Sequence, residues 1–383
     1  MVDAPVKTKV RLMRSVVGSE ELAAVARVIE DGYLGMGSEV QKFEQELTQY
    51  IGGDREVVCL STCTAALHLA LQCCDIGPGD EVLAPSFTFV ATFQAISASG
   101  ATAVSCEADP LTGFIDVADA ERRITSRTKA IMPVHLYGHT GDLDGVYALA
   151  KKYNLRVIED AAQAFGTYHN GNMIGSTGDI VCFSFDGVKQ ITSGEGGALV
   201  TSDLEVANRA RDARLLAVEK DTEKRYAGER SWEFDVHDQG YRFHMSNLLA
   251  AIGRVQLGRF ESEFRPRRVE ICERYARLLS HIDGLRILDV DYKNVVPWSF
   301  AIFIADGHRD AIREALLAEN IECGVQYKPN HTLSRYGGGR ESLPVTEQLY
   351  EEQLSLPLHP MLTEEEQDRV VDVITSKLEA LRG

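Results

Sequence analysis

Several familiar catalytic and binding motifs are missing from this 383-residue sequence. It contains no G-x-x-x-x-G-K-[ST] and no G-x-G-x-x-G after a strand-like run, so neither nucleoside-triphosphate hydrolysis nor Rossmann dinucleotide binding is indicated. H-E-x-x-H and G-x-S-x-G are also absent, and with them the usual signatures of zinc proteases and α/β-hydrolases. The eight cysteines form no C-x-x-C pair, so we expect no metal site.

Positive charge and long apolar runs are also scarce. The net charge is −17, which argues against nonspecific binding to nucleic acid. No stretch approaches the ~18 apolar residues that suggest a membrane span, and Met1–Pro5 lacks the apolar core of a signal peptide. The cysteines lie mostly in apolar runs, as reduced core residues do, so we expect a soluble cytoplasmic protein.

Short apolar runs alternate with helical stretches between about residues 55 and 200. Strands are predicted at 57–60, 81–84, 102–105, 129–135, 156–159, 180–185 and 197–201, and helices at 65–74, 90–97 and 143–153. This alternation predicts an α/β fold with a mostly parallel sheet covered by helices on both faces. In such folds ligands bind at the carboxyl ends of the strands.

The pattern changes after residue 247. Apolar residues at helical spacing continue to about residue 279, interrupted at Pro266, and indicate a long helical connection. Strand-like runs follow at 299–304 and 323–327, and a final helix begins with Thr363 as N-cap and Glu366 three residues later. We therefore predict a large domain over residues 1–250 and a smaller α+β domain over 251–383.

Lys189 is the strongest candidate for a catalytic residue. It follows the apolar run Phe183–Phe185 and precedes the glycine-rich turn 194–197, while Asp160 ends an earlier strand. A lysine near a buried strand end can be desolvated enough to attack an aldehyde. A carboxylate at a neighbouring strand end suits a pyridinium nitrogen, although it also suits a simple turn. Together they suggest pyridoxal phosphate, with Gln163 near the ring oxygen.

A phosphate site is predicted where the first strand meets its helix. The run 61–67, Ser-Thr-Cys-Thr-Ala-Ala-Leu, offers hydroxyls and a helix N-terminus, both of which bind phosphate. The same run also fits simple helix capping by Thr62 or Thr64. Ser184 supplies another hydroxyl, and Phe89 is suited either to stack on a planar ring or to fill the core.

These motifs occur in an ordered set that covers nearly the whole chain. The set is Gly35-Met36-Gly37 with Phe43-Glu44, Thr62–Leu67, Pro85–Thr92, Pro133–Gly138, Glu159–Ala164, Phe183–Phe185 with Lys189 and the turn 194–197, and Leu356-Pro357-Leu358. In this set the sequence resembles the DegT/DnrJ/EryC1/StrS family of sugar aminotransferases. The resemblance implies the aspartate aminotransferase fold (fold type I), with a mostly parallel seven-stranded sheet.

The resemblance also implies a role for each matching residue. Lys189 would bind pyridoxal phosphate as a Schiff base, Asp160 would bind the ring nitrogen, and Gln163 would lie near the ring oxygen. The remaining cofactor contacts would come from Phe89, on the ring face, and from Cys63, Thr64 and Ser184, on the phosphate. Substrate contacts would come from Gly35, Met36, Tyr327, Lys328 and His331.

Two positions depart from the family pattern. Cys63 replaces the usual glycine, which is tolerable if only its backbone N–H binds phosphate. Arg242 stands where the family's G-Y-N-x-R motif has asparagine, with His244 in the place of a basic residue. Because arginine also binds phosphate, we expect Arg242 to serve the cofactor of a neighbouring subunit in a homodimer. Contact with a substrate diphosphate, or with the dimer interface alone, remains an alternative.

The function implied by the resemblance is ping-pong transamination from glutamate, or glutamine, to a nucleotide-linked 4-keto-6-deoxy sugar. Amination of a 3-keto sugar or of a cyclitol ketone is an alternative. A pyridoxamine-phosphate-dependent dehydratase of this family would have histidine in place of Lys189. A non-catalytic regulatory binding protein on the same scaffold would be expected to have lost Lys189 or Asp160, and both are present.

Overall fold

The computed structural model describes residues 8–339 and 341–382, so the Met1–Pro5 segment considered above lies outside the described residues. The strands, numbered in chain order, are β1 (Glu56–Leu60), β2 (Glu81–Pro85), β3 (Thr102–Cys106), β4 (Thr128–Ile131), β5 (Arg156–Asp160), β6 (Tyr168–His169), β7 (Asn172–Met173), β8 (Ile180–Ser184), β9 (Gly197–Thr201), β10 (Leu285–Ile287), β11 (Phe300–Ile304) and β12 (Gln353–Leu356). The helices are α1 (Ser19–Asp31), α2 (Ser38–Ile51), α3 (Cys63–Cys73), α4 (Val90–Ala98), α5 (Val117–Arg122), α6 (Leu143–Tyr153), α7 (Leu204–Ala213), α8 (Asp221–Tyr226), α9 (Asn247–Arg259), α10 (Arg265–Leu279), α11 (Arg309–Ala318), α12 (Pro344–Glu352) and α13 (Glu364–Arg382).

The central sheet has seven strands within the described ranges, in the order β1-β9-β8-β5-β4-β2-β3. Strand β9 is antiparallel to both of its neighbours, and the other strands run in one direction. The predicted mostly parallel α/β sheet is therefore confirmed. Because β1, β2, β5 and β8 share a direction, their carboxyl ends lie along one edge of the sheet.

Successive residues of the central strands belong to two different cores. In β8, Val181 and Phe183 pack in one buried cluster, whereas Ile180 and Cys182 pack in another. This alternation follows from the two-residue period of a strand, and it requires apolar residues at consecutive positions when both faces are covered. Helices α2 and α6 cover the first face, and α3, α4 and α7 cover the second.

Three details of the predicted elements are corrected. Strand β4 ends at Ile131 and not at residue 135, because Pro133 has no N–H for the ladder and only an isolated bridge from Val134 to Asp160 continues it. Residues 323–327 form no strand; a single bridge joins Gly324 to Ser355. Pro266 does not break the connection, because it lies in the first turn of α10, after the π-helical segment Phe260–Phe264.

The C-terminal part has its own buried cluster around the antiparallel sheet β10-β11-β12. The predicted capping box is present, since Thr363 and Glu366 exchange hydrogen bonds of 3.0 and 3.2 Å. An N-terminal segment joins this part: Val10 exchanges hydrogen bonds with Asn320 and Glu322, and the carbonyl of Leu12 accepts a bond from the N–H of Leu358. The division of the chain near residue 250 stays a prediction.

None of the helices described is both long and apolar enough to cross a membrane.

Candidate active site

A cavity of about 290 Å³ lies at the carboxyl edge of the central sheet. Its wall contains every predicted cofactor residue except Arg242, namely Cys63, Thr64, Phe89, Asp160, Gln163, Ser184 and Lys189. A larger surface groove of about 880 Å³ lies between α1, α2 and α9 and contains none of the predicted site residues. The smaller cavity is therefore the candidate active site.

Asp160 is the buried carboxylate of this cavity. It is the last residue of β5 and is only 5% exposed. Its Oδ2 accepts a hydrogen bond of 2.8 Å from the Thr92 hydroxyl, and its Oδ1 accepts one of 3.2 Å from the Ala162 N–H. Burial raises the pKa of Asp160, while these two donors and the nearby Lys189 oppose the rise. A cation in the cavity would therefore find a preorganised acceptor.

Lys189 lies in the loop between β8 and β9. Its side-chain ammonium is 4.3 Å from the centre of the Trp298 ring, and its backbone N–H donates a 3.1 Å hydrogen bond to the Asp186 carbonyl. Burial lowers the pKa of Lys189, and the charges of Asp186 and Asp160 oppose this effect. A lysine with a lowered pKa supplies more neutral amine at neutral pH, which is the nucleophilic form.

The N-terminus of α3 lies at one end of the cavity, which we call the anion-binding end because its N–H groups are suited to an anion. Thr62 is the N-cap, since its hydroxyl accepts a 3.0 Å hydrogen bond from the Ala65 N–H. The N–H groups of Cys63 and Thr64 are the first two of the helix, so they have no acceptor within it. Burial raises the pKa of the Cys63 thiol, which leaves its backbone N–H as the group suited to an anion.

Gly197 allows this helix to start so close to the sheet. A Cβ atom there would lie 2.4 Å from the Cys63 nitrogen and 2.5 Å from the Thr62 carbonyl carbon. Both are backbone atoms that cannot move aside without displacing the start of α3. Gly197 thus matters for the space that it leaves beside the anion-binding end.

Aromatic and amide groups surround the opposite part of the cavity. Phe89 precedes α4 and is 53% exposed, so its ring is available to a ligand and does not fill the core. The Tyr327 ring lies 5.3 Å from the Phe89 ring. Gln163 is buried; its Oε1 accepts from the Tyr137 N–H at 2.7 Å, and its Nε2 is 3.5 Å from the Tyr327 hydroxyl.

The other predicted substrate residues are placed differently. Met36 is fully buried in the main core, and the substrate contact expected of it stays a prediction. The imidazole of His331 is also buried, 2.7 Å from the Ser86 hydroxyl and 3.1 Å from Glu347. With both of its ring nitrogens engaged, His331 has none free for a substrate. Gly35 and Lys328 are exposed, outside the cavity wall.

Arg242 is exposed and does not line the cavity of its own chain. The segment around it is nevertheless fixed next to the site. The carbonyl of Phe243 accepts a 2.6 Å hydrogen bond from the N–H of Ser61, just before α3, and Leu215 forms a bridge with Arg242. The backbone is held beside the anion-binding end while the side chain lies outside the cavity.

Three contacts with Asp160 and Lys189 were not predicted from the sequence. Thr92 holds Asp160, Trp298 faces the amine of Lys189, and Arg268 donates to the Lys189 carbonyl at 3.2 Å. Thr92 is the third residue of α4, and the available signal was its place in the motif Pro85–Thr92. Trp298 lies more than a hundred residues after Lys189, and Arg268 almost eighty residues after it. No local sequence pattern identifies either residue.

The groups in the cavity fit pyridoxal phosphate. The cofactor needs an amine for its aldehyde, a carboxylate for its ring nitrogen, a flat apolar contact for its ring and N–H donors for its phosphate. Lys189, Asp160, Phe89 and the first two N–H groups of α3 provide these in one cavity. The hydroxyls of Thr64 and Ser184 add two further donors beside them.

Comparison with known proteins gives a consistent result. The model of the DegT/DnrJ/EryC1/StrS aminotransferase family matches residues 16–375. The spore coat polysaccharide biosynthesis protein SpsC of Bacillus subtilis is 36% identical over 368 residues, which is 94% of each chain. The aminotransferase TlmJ from Streptoalloteichus hindustanus is 34% identical in sequence. Its crystal structure superposes with a TM-score of 0.90 and covers 98% of this chain and 100% of its own.

A putative sugar aminotransferase from Streptococcus pneumoniae, Spr1654 in its PMP form, is 27% identical with a TM-score of 0.89, covering 97% of this chain and 98% of its own. Each of these matches extends over nearly the full length of both chains. The family match includes the turn after β1, the end of β5 and the Lys189 loop, all of which line the cavity. The chain therefore belongs to the DegT/DnrJ/EryC1/StrS aminotransferase family.

Proposed function

We propose that the protein moves an amino group from glutamate to a nucleotide-linked keto-sugar, a 4-keto-6-deoxyhexose in the first instance, by ping-pong transamination. Its family makes it a pyridoxal-phosphate-dependent sugar aminotransferase; the proposal adds the donor, the acceptor and the residue roles. The single observation that carries these roles is that Lys189, Asp160 and the N-terminus of α3 line one cavity.

Pyridoxal phosphate, when bound, supplies an electron sink that weakens the C–H bond next to the transferred nitrogen. The residues of this chain bind and orient it. The N–H groups of Cys63 and Thr64, with the Thr64 and Ser184 hydroxyls, would hold the phosphate at the positive end of the α3 dipole. Phe89 would cover one face of the ring at the mouth of the cavity.

Asp160 would bind the protonated ring nitrogen through its carboxylate. Burial raises the pKa of Asp160, but a cationic ring nitrogen bound beside it would favour the ionised form. The Thr92 hydroxyl and the Ala162 N–H hold the two carboxylate oxygens in place. The charge is thus fixed in position before the ligand arrives, which avoids reorganisation during the reaction.

Lys189 would carry the proton. In its neutral form the Nζ atom would accept a proton from the donor carbon, and as ammonium it would return that proton within the same cavity. Its lowered pKa favours the neutral form at the start of each half-reaction. A histidine in this position would be expected in a dehydratase, so the lysine supports transamination.

The proposal includes a homodimer in which Arg242 serves the neighbouring active site. Its support is that Arg242 is exposed, while its backbone is anchored beside the start of α3. A guanidinium on such a segment can bind a phosphate of a second copy without leaving its own fold.

The test is amination of a panel of nucleotide-linked keto-sugars and a cyclitol ketone, with glutamate or glutamine as donor and the product read by mass. We expect amination of a 4-keto-6-deoxy sugar with glutamate. Lys189→Ala should abolish turnover and the visible absorbance of the lysine-bound cofactor. Lys151→Ala, on the exposed side of α6, is the matched control and should leave both unchanged. Full activity of Lys189→Ala would refute the assignment.

A further inference from the structure

Arg268 is a buried cation whose partners are backbone carbonyl groups. It lies on α10 and is 2% exposed. Its Nη1 donates to the carbonyls of Pro297 and Trp298 at 3.4 Å, and its Nη2 donates to the carbonyl of Lys189 at 3.2 Å. Among the described residues no carboxylate acts on its charge, and its Nε has no acceptor. Burying an unpaired charge is costly, so this arginine requires an explanation.

Trp298 binds the same loop from the same side. It is 3% exposed, its backbone N–H donates to the Tyr137 carbonyl at 3.1 Å, and its indole N–H donates to the Val188 carbonyl at 3.1 Å. The carbonyl groups of two consecutive residues, Val188 and Lys189, are thus held by Trp298 and Arg268. The face of the same indole lies 4.3 Å from the Lys189 ammonium.

We propose that Trp298 and Arg268 are positioning residues for Lys189: the indole face holds the lysine amine whenever it is not joined to the cofactor, and the guanidinium fixes the backbone of that lysine. We name this pair the lysine clamp. The inference rests on the proposed function, in which Lys189 is released and recaptured in every half-reaction. A long lysine side chain released into solvent would lose rotamer order that it must regain before each proton transfer.

The two members of the lysine clamp act oppositely on the charge of Lys189. An indole face stabilises an ammonium, whereas the nearby guanidinium and burial disfavour it. The carboxylates of Asp186 and Asp160 also act on the amine and favour the ammonium, whereas the Cys63 thiol, whose pKa burial raises, carries no charge. Loss of Trp298 should therefore increase the fraction of neutral amine, and loss of the Arg268 charge should decrease it. A purely structural role would give no such opposition.

The test uses the cofactor-free protein and the rate of acylation of Lys189 by acetic anhydride, followed by peptide mass spectrometry from pH 6 to 10 or so. Acylation requires the neutral amine. We expect Trp298→Leu to accelerate labelling below pH 9 or so by about three- to thirtyfold, the range given by a cation–π contact. We expect Arg268→Met to slow it, and Arg268→Lys, which keeps the charge, to remain near the wild-type profile.

Thermal unfolding of each variant serves as the control for folding, and Trp298→Phe, which retains a weaker aromatic face, replaces Trp298→Leu if the latter does not fold. Labelling profiles of Trp298→Leu and Trp298→Phe equal to wild type, or shifts of the Trp298 and Arg268 variants in the same direction, would overturn the lysine clamp. Wild-type protein whose Lys189 is not protected from labelling by pyridoxal phosphate would instead overturn the proposed function. The two failures are therefore distinguishable.

Discussion

Thr92→Val tests whether the charge of Asp160 is held by its hydrogen bonds. Thr92 is fully buried, and valine replaces its hydroxyl with a methyl group of similar size. The substitution leaves Asp160 Oδ2 without its 2.8 Å donor, while the Ala162 N–H still serves Oδ1. The prediction is therefore a loss of function with the fold retained.

The magnitude follows from the type of bond that is lost. A hydrogen bond to a charged group contributes about 1.5–3 kcal/mol, and each 1.36 kcal/mol corresponds to a tenfold change in rate. If the ionised Asp160 stabilises the transition state through this bond, kcat should fall by about 10- to 150-fold. Because the lost donor opposed the effect of burial, the pKa of Asp160 should rise further.

The assay is kcat and kcat/KM against pH, with Thr92→Ser as the matched control because it keeps the hydroxyl. In Thr92→Val the acidic limb of both profiles should move to higher pH, and activity should recover in part as pH rises. Thr92→Ser should keep the wild-type limb. If both variants melt like wild type and share its acidic limb, the hydroxyl does not hold the Asp160 charge, and the reasoning is refuted.

Three further predictions concern other parts of the site. Lys189→Ala and Arg242→Ala subunits, each impaired alone, should regain about one quarter of wild-type activity when they are co-expressed. Under random pairing half of the dimers contain one subunit of each kind, and each of these mixed dimers has one intact site out of two. No recovery would mean that Arg242 does not act across the interface. Burial raises the pKa of Asp160, so above the ordinary value of 3.8 its ionisation opposes folding of the cofactor-free protein. Asp160→Asn should thus raise the cofactor-free melting temperature at pH 7 or so while abolishing turnover, and a lowered melting temperature would contradict this sign. Gly197→Ala should lower the melting temperature, because the new methyl group would overpack against backbone atoms at a cost of about 1–3 kcal/mol or more. The control Gly258→Ala, in open space on α9, should not lower it. A Gly197→Ala protein that melts at the wild-type temperature would disprove the steric argument.

The sequence predicted those site residues whose positions follow from the ends of strands and the starts of helices. Asp160 and Ser184 end strands, and Cys63 begins a helix, so their common edge follows from the direction of the strands. The strand pattern was readable because both faces of the sheet are covered, which forces apolar residues at consecutive positions. Their roles toward the cofactor stay predictions.

Other features depend on tertiary packing that no local pattern records. Met36 stands in a motif associated with substrate contact, yet its side chain belongs to the core. His331 stands in another, yet Ser86 and Glu347 engage its ring. Trp298 reaches Lys189 only because α10 and the segment before β11 pack against the Lys189 loop. These placements are set by contacts between residues far apart in the chain, which spacing and composition do not encode.

The pairing of Val10 and Leu12 with the C-terminal part has a topological consequence. The chain contacts the C-terminal part first through residues 8–12 and enters it again through α9 and α10. The first contact includes a hydrogen bond from Arg369 on α13 to the carbonyl of Thr8. A single proteolytic nick between α9 and α10 would therefore leave the two fragments associated. Loss of residues 8–12 would in turn expose the surface of the C-terminal part that they cover, far along the chain from the cut.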